Sequence, residues 1–304
     1  MKIREEFSFL SIEDHLKKDI TAIIVGSGTQ EDRSKKIANE FRNANAQVVC
    51  IDYNYDTQKY SVSLLNDPYS FSASPSHSNL PGSLMRALQG HTKSILIDIT
   101  SLQHPVIIVL LNILRNTIKP AHLFASYVKP EQYLTRDNLG KYNFSAQVYE
   151  PAGIPGLIRQ RKDHEIIIPF LGFEGDRLQN IVENMSYQVI IPIIGFPSEN
   201  PSWQFESLRN CMQVLESTYP DAEIRKCKAN SIYDAIYVLN EIEELYPDGN
   251  FVLLPLGIRT HTAACGIWAA KRKNVRILYD YATETTQRST GIGETIIYHL
   301  SRFL

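Results

Sequence analysis

Short apolar runs alternate with amphipathic stretches along this chain. Thr21-Ala-Ile-Ile-Val is rich in β-branched residues and predicts a buried strand that stops at Gly26-Ser-Gly-Thr. A helix pattern begins near Glu31, with Ile37, Ala38 and Phe41 on one face, and Val48-Val-Cys-Ile-Asp-Tyr predicts the next strand. Such a β-α-β unit implies parallel pairing through a right-handed crossover. Residues 54–81 are rich in Ser and Pro without a sustained period, the pattern of a lid or a mobile segment. A helix over 83–88 leads into an apolar strand over 95–99 with Asp98 and Thr100 at its end. A helix from Pro105 and a strand over 123–128 follow.

The second half opens in the same way. Glu165-Ile-Ile-Ile-Pro-Phe-Leu-Gly-Phe predicts a strand, and Leu178, Ile181, Val182 and Met185 fall at helical spacing behind it. A strand over 188–194, a helix ending near 219, a short strand over 222–227 and an amphipathic helix over 231–246 come next. Ser231 stands as its N-cap and Asp234 in its first turn. Phe251-Val-Leu-Leu-Pro-Leu-Gly-Ile-Arg-Thr-His, a helix to about 271 and Val275-Arg-Ile-Leu-Tyr-Asp-Tyr repeat the strand–turn–helix–strand order of 94–133. Asp32-Arg33 and Asp176-Arg177 stand at matching places after the first strand of each half. The tail over 288–300 reads as a turn and a terminal helix. The Pro- and Gly-punctuated stretch over 151–163 is the best linker, which gives an α/β protein of two domains, 1–150 and 151–304, related by internal duplication with mainly parallel sheets.

Composition narrows the function classes. At 304 residues with 43% apolar and 21% charged residues, the chain can bury a large core or two ordinary ones. A formal net charge of -2 offers no field for long duplex DNA. Cys50, Cys211, Cys227 and Cys265 are widely spaced and read as buried free thiols. The N-terminal residues have no apolar signal core, and the longest apolar run, 106–114, is far short of the roughly 20 residues of a membrane span. The expected place is the cytoplasm, with no membrane partner. His-Glu-x-x-His, Cys/His metal spacing, Asp-x-Asp and Gly-x-Ser-x-Gly are all absent, so no metal and no cofactor is expected.

The candidate chemistry lies in the turns after the strands. Gly26, Ser27 and Gly28 form either a phosphate cradle or a plain tight turn, without the last glycine of Gly-x-Gly-x-x-Gly. Asp98, Thr100 and Ser101 could bind ribose hydroxyls or orient a water; the alternative is that Asp98 or Thr100 caps the next helix. His104 and His261 are the acid–base candidates, with Asp98 as an orienting or nucleophilic carboxylate. Gly172, Gly257 and Arg259 complete the polar turns, with Arg33, Arg177 and Arg259 as phosphate grips. Tyr127 and Lys129 in the first half, and Tyr279 in the second, could stack a base and hold phosphate, or simply pack at the rim.

The Gly26-Ser-Gly turn after the first strand and Ile97-Asp98-Ile99-Thr100 at the tip of a later one resemble the CRISPR-associated Rossmann fold (CARF-like) sensor domains of prokaryotic antiviral defence. That family continues Asp-x-Thr with Gly-Gly-Thr-Lys, where this chain has Ser101, Leu102, Gln103 and His104. The resemblance implies two tandem Rossmann-like halves facing each other across a shared cleft. It implies binding of a nucleotide or nucleotide second messenger, as a sensor or adaptor for an effector protein, with oligomers compatible. A metal-independent hydrolase of nucleotides, breaking a phosphodiester or glycosyl bond, and a structural subunit of a defence complex are the alternatives.

Overall fold

The computed structural model describes residues 6–9, 14–27, 31–42, 45–65, 71–134, 145–158, 164–183, 185, 189–218, 222–284 and 288–303. The chain divides into two compact units, Met1–Leu134 with Thr286–Leu304, and Thr135–Thr285. In chain order the first unit runs through β1 (Glu6–Phe9), α1 (Asp14–Asp19), β2 (Ala22–Val25), α2 (Lys36–Glu40), β3 (Gln47–Asn54), β4 (Lys59–Leu64), β5 (Ser72–Ala73), α3 (Leu80–Leu88), β6 (Ser94–Asp98), α4 (His104–Ile113), β7 (His122–Val128) and β8 (Gln132–Tyr133). The second holds β9 (Ser145–Gln147), β10 (Ala152–Gly153), β11 (Glu165–Phe170), α5 (Gly175–Val182), β12 (Val189–Ile190), β13 (Ile193–Gly195), α6 (Pro201–Thr218), β14 (Arg225–Cys227), α7 (Ile232–Leu245), β15 (Asn250–Pro255), α8 (Arg259–Ala270), β16 (Val275–Tyr279) and β17 (Thr283–Glu284). The chain then rejoins the first unit with β18 (Ser289–Thr290) and β19 (Thr295–His299).

In the first unit the sheet order is β1-β19-β7-β6-β2-β3-β4-β5. β3, β2, β6 and β7 are parallel, while β4 and β19 run antiparallel to their neighbours at either side. Every residue of β2 and β6 is buried, as expected of parallel strands covered on both faces. Ile23, Val25, Val48 and Leu96 pack against Ile37 and Phe41 on one face. On α4, nine of its ten residues are buried, which its all-round apolar sequence requires.

In the second unit the order is β10-β16-β15-β11-β13-β14, all parallel except β10, with β12 also pairing β11. Val252 and Leu254 meet the α5 and α6 side chains Leu178, Ile181, Cys211 and Leu215. Side chains alternate along a strand, and Phe251 accordingly faces the other way, edge-on to Trp268 of α8 at 5.5 Å. Helices therefore cover both faces. Ser231 caps α7 as its sequence predicts, its Oγ accepting the Asp234 N–H at 3.1 Å.

Three expectations change. The stretch over 54–81, expected as a lid or mobile segment, carries β4 and β5, which extend the sheet beyond β3, and the start of α3. The strand over 188–194 is broken at Ile191-Pro192 into β12 and β13, since proline has no N–H to give to a ladder. The tail is a strand, β19, which fills the open edge of β7 and is in turn the partner of β1. Its Thr-Ile-Ile-Tyr-His run is rich in the β-branched and aromatic residues that suit a pleated surface. No helix among the described residues is long and apolar enough to cross a membrane.

Candidate functional site

In the first unit, β2 and β6 lie side by side with their carboxyl ends level. Gly26 follows β2, and a Cβ on it would stand 2.2 Å from the Ser101 carbonyl oxygen. Its N–H donates to Ser101 Oγ at 3.0 Å. Glycine is needed here because one backbone presses on another. Ser27 is exposed, and its N–H donates to both carboxylate oxygens of Asp52 at 3.0 and 3.2 Å. Gly28 lies outside the described residues. The Gln103 side chain accepts the Tyr53 N–H at 2.8 Å and donates to the Tyr53 carbonyl at 3.1 Å, tying the start of α4 to the end of β3.

Asp98 is fully buried. Its Oδ1 accepts from the Thr100 N–H and from Ser126 Oγ, both at 3.2 Å, while Oδ2 has no partner. Burial pushes its pKa up, against the hydrogen bonds from Ser101, Thr100 and Ser126 that favour the anion. By strand alternation it shares the face of Leu96, over the Ile37 and Phe41 cluster. The helix-cap reading does not hold, because α4 has Gln103 at its N-cap and no capping side chain. Thr100 Oγ1 instead accepts the Val128 N–H at 2.8 Å. His104 is also buried, in the first turn of α4.

Arg33 is sunk beside the end of β7. Its Nε donates to Glu31 and to Ser289 Oγ, each at 3.0 Å, one terminal nitrogen donates to the Val128 carbonyl at 2.9 Å, and the guanidinium lies 5.8 Å from the Tyr127 ring centre. Burial opposes its charge, but Tyr127, Tyr133 and Glu31 outweigh burial and hold its pKa above the ordinary arginine value. Arg288 approaches the same Glu31 at 3.3 Å. Lys129 pairs with Glu294 at 3.0 Å near the surface.

The second unit repeats several of these contacts. A Cβ on Gly172 would meet the Leu256 carbonyl oxygen at 2.2 Å, and one on Gly257 the Leu171 oxygen at 2.8 Å. Arg177 holds Asp280 with two hydrogen bonds, Nε to Oδ2 at 2.7 Å and a terminal nitrogen to Oδ1 at 2.6 Å. Its guanidinium lies 5.4 Å from the Tyr279 ring centre. Burial again disfavours the charge, and Tyr279, Asp280 and Glu174 overcome it. Arg259, the first residue of α8, is buried. His261 is buried too, with Nε2 3.4 Å from Cys227 Sγ and 3.5 Å from the Lys228 carbonyl, and with no partner for Nδ1. Burial lowers its pKa to about 4, so the ring is neutral near pH 7.

No family model matches the chain, and no curated protein matches it.

The chemistry open to these groups follows from their burial. Of the acid–base candidates, Asp98 and His261 are sealed from solvent, and His104 is buried but keeps a small exposed edge. The Cys227 thiol beside His261 is pushed up by burial and then by Asp234, the reverse of an activated nucleophile. Among the described residues no group of three or more His, Cys, Asp or Glu is placed to hold a metal ion. Asp52, the half-buried carboxylate that meets the first glycine turn, is not among the sequence-predicted candidates. Its signal was an acidic residue at the end of the second strand, some twenty residues beyond Gly26-Ser-Gly.

Proposed function

We propose that the chain is a binding protein for a nucleotide or a nucleotide-derived messenger, a sensor or adaptor that passes the signal to an effector partner. It is built from two Rossmann-like halves that arose by internal duplication. The observation that carries this reading is the strand order. Numbered along each unit's main run, both sheets are arranged 3-2-1-4-5, with the third place taken by antiparallel β4 in one and parallel β14 in the other. Open α/β sheets of this order bind ligands outside the carboxyl ends of strands one and four, where the connections part to opposite faces.

Duplication is supported by contacts that recur at matching places. Gly26 and Gly172 each abut the carbonyl after the fourth strand, at the same 2.2 Å from a would-be Cβ. Arg33 and Arg177 each lie over the tyrosine at the end of the fifth. Each unit also adds an antiparallel strand beyond that fifth strand, β19 or β10. Binding is favoured over hydrolysis because Asp98 and His261, two of the three acid–base candidates, are sealed from solvent. A setting in prokaryotic antiviral defence belongs to this proposal through the resemblance to CARF-like sensors.

One observation favours the structural-subunit reading: Arg33 and Arg177, expected as phosphate grips, are already paired with protein carboxylates. Titration calorimetry of the whole chain with nucleotides and cyclic oligoadenylates, followed by mass spectrometry of the recovered ligand, separates the readings. Binding with the ligand recovered intact supports a sensor. Turnover overturns it in favour of an enzyme, and neither binding nor turnover leaves the subunit.

A further inference from the structure

We infer that His122 and His299 form a site for a divalent metal ion that favours imidazole ligands, Zn²⁺ above all, and that the ion clamps the closing strand β19 onto β7. The inference lies outside the nucleotide-binding reading and does not depend on it.

The first observation is placement. β7 and β19 run antiparallel, with Phe124 registered against His299. His122 stands two residues before Phe124 and so projects from the same face. The three rings form one row. His299 lies 4.7 Å from Phe124, nearly stacked at 19°, and 5.8 Å from His122 at 37°. His122 is exposed and His299 half-buried, so an ion can reach the pair from solvent.

The second is geometry. A Zn–N bond of about 2.0–2.1 Å puts the ion about 3.2 Å from each ring centre, and at a tetrahedral angle the two centres then lie about 5.2 Å apart. The rings stand at 5.8 Å. The gap is small enough for the exposed His122 to close by turning about its side-chain torsions. His299 need not move far, because Phe124 gives it a flat wall and is itself packed against the cluster of Ile20, Ile23 and Leu96. A ring already held loses little freedom on binding.

The third is proton competition. A metal ion takes the neutral imidazole. Burial first, and His122 second, lower the His299 pKa, so this ring is neutral near pH 7. Among the described residues no larger group of ligands gathers anywhere, and water would complete the coordination here. The ion is therefore an exchangeable clamp and not a permanent part of the fold. It joins two residues far apart in the chain, the arrangement in which a cross-link constrains the unfolded state most.

The test is titration calorimetry of the whole chain with ZnCl₂, and with MgCl₂ for comparison, on the wild type, His122→Gln and His299→Gln. Half the ligands of a structural zinc site predict a wild-type Kd of about 1–200 μM. Magnesium, which wants oxygen ligands, should give no binding. Each variant should bind zinc about tenfold more weakly or worse. The cysteines are the same in all three proteins, so the difference belongs to the imidazoles. Zinc at ten times Kd should raise the wild-type Tm by about 3–6 °C and slow amide exchange in β19. Circular dichroism melts without the ion check the fold of the variants; if His299→Gln does not fold, His122→Gln, changed at an exposed position, carries the test. A wild type with no zinc binding below about 1 mM overturns the inference. So does an unchanged Kd in a folded His122→Gln, which would put the ion elsewhere. Zinc bound through these histidines with β19 exchange unaltered overturns the clamp.

Discussion

Breaking the Arg177–Asp280 pair should unfold the second unit far more readily than removing both charges together. Asp280 is fully buried and Arg177 nearly so, and they share two short hydrogen bonds. Arg177→Met keeps the aliphatic stem over Tyr279 but strands a carboxylate in the interior. The loss of one partner of a buried pair is worth about 3–5 kcal/mol. For a unit of this size that is roughly a 6–20 °C fall in Tm. Asp280→Leu leaves the guanidinium with Glu174, 3.7 Å away, and should cost less than Arg177→Met. The double variant removes both charges and should lie closer to the wild type than either single, a coupling of about 2–3 kcal/mol. The assay is convenient because the chain has two tryptophans, Trp203 and Trp268, and both belong to the second unit. Urea unfolding followed by tryptophan emission therefore reports that unit even if the two unfold separately. Arg177→Met within about 1 kcal/mol of wild type, or a double variant equal to the sum of the singles, would refute the reasoning.

Gly26→Ala should lose about 1–3 kcal/mol, because its Cβ would be driven into the Ser101 carbonyl. Gly82→Ala in α3 meets nothing within 4 Å and should gain up to about 1 kcal/mol, and thermal melts by circular dichroism compare the two. His261, held neutral to about pH 4, makes the unfolded state the better proton acceptor between its ordinary pKa of 6.5 and 4. Stability of the second unit should thus fall as pH drops through that window, by about 2 kcal/mol between pH 7 and 5, and His261→Gln should flatten the slope. Asp98 has the opposite sign: its raised pKa leaves the folded state protonated above 3.8, where the unfolded chain ionises, so its contribution is lost as pH rises through the folded pKa. Asp98→Asn should remove that loss, measured as unfolding free energy against pH by far-UV circular dichroism. All four cysteines are buried, with Cys50 and Cys211 pushed up to about 12 chiefly by burial. A thiol reagent at pH 8 should label fewer than one per native chain within minutes and all four in urea; rapid native labelling would contradict the packing.

Apolar runs announced β2, β6, β11 and β15, and a serine with an aspartate three residues on announced the start of α7, because these choices are local. What the sequence hid was who meets whom. Arg33 and Ser289 are 256 residues apart and Arg177 and Asp280 are 103 apart, so neither pairing leaves a mark in any window. Gly26 and Gly172 look like ligand cradles until the carbonyls of Ser101 and Leu256 are seen against them. The five residues of β19 favour a strand by composition but are too few to show a period, and the unfilled edge of β7 gives them their partner. Asp52 escaped notice because it sits inside an apolar run, where a charged residue reads as an interruption.

The pairing of β1 with β19 has a consequence for how the chain comes to be folded. A ribosome delivers β1 first and β19 only after the whole second unit, and β1 has no other sheet partner among the described residues. Domains generally fold as they emerge. The second unit can thus be finished while the first still carries an exposed, unpaired edge at β7, the kind of template on which chains aggregate. Loss of β19 would make that transient state permanent, so the last strand guards solubility as much as it completes a sheet.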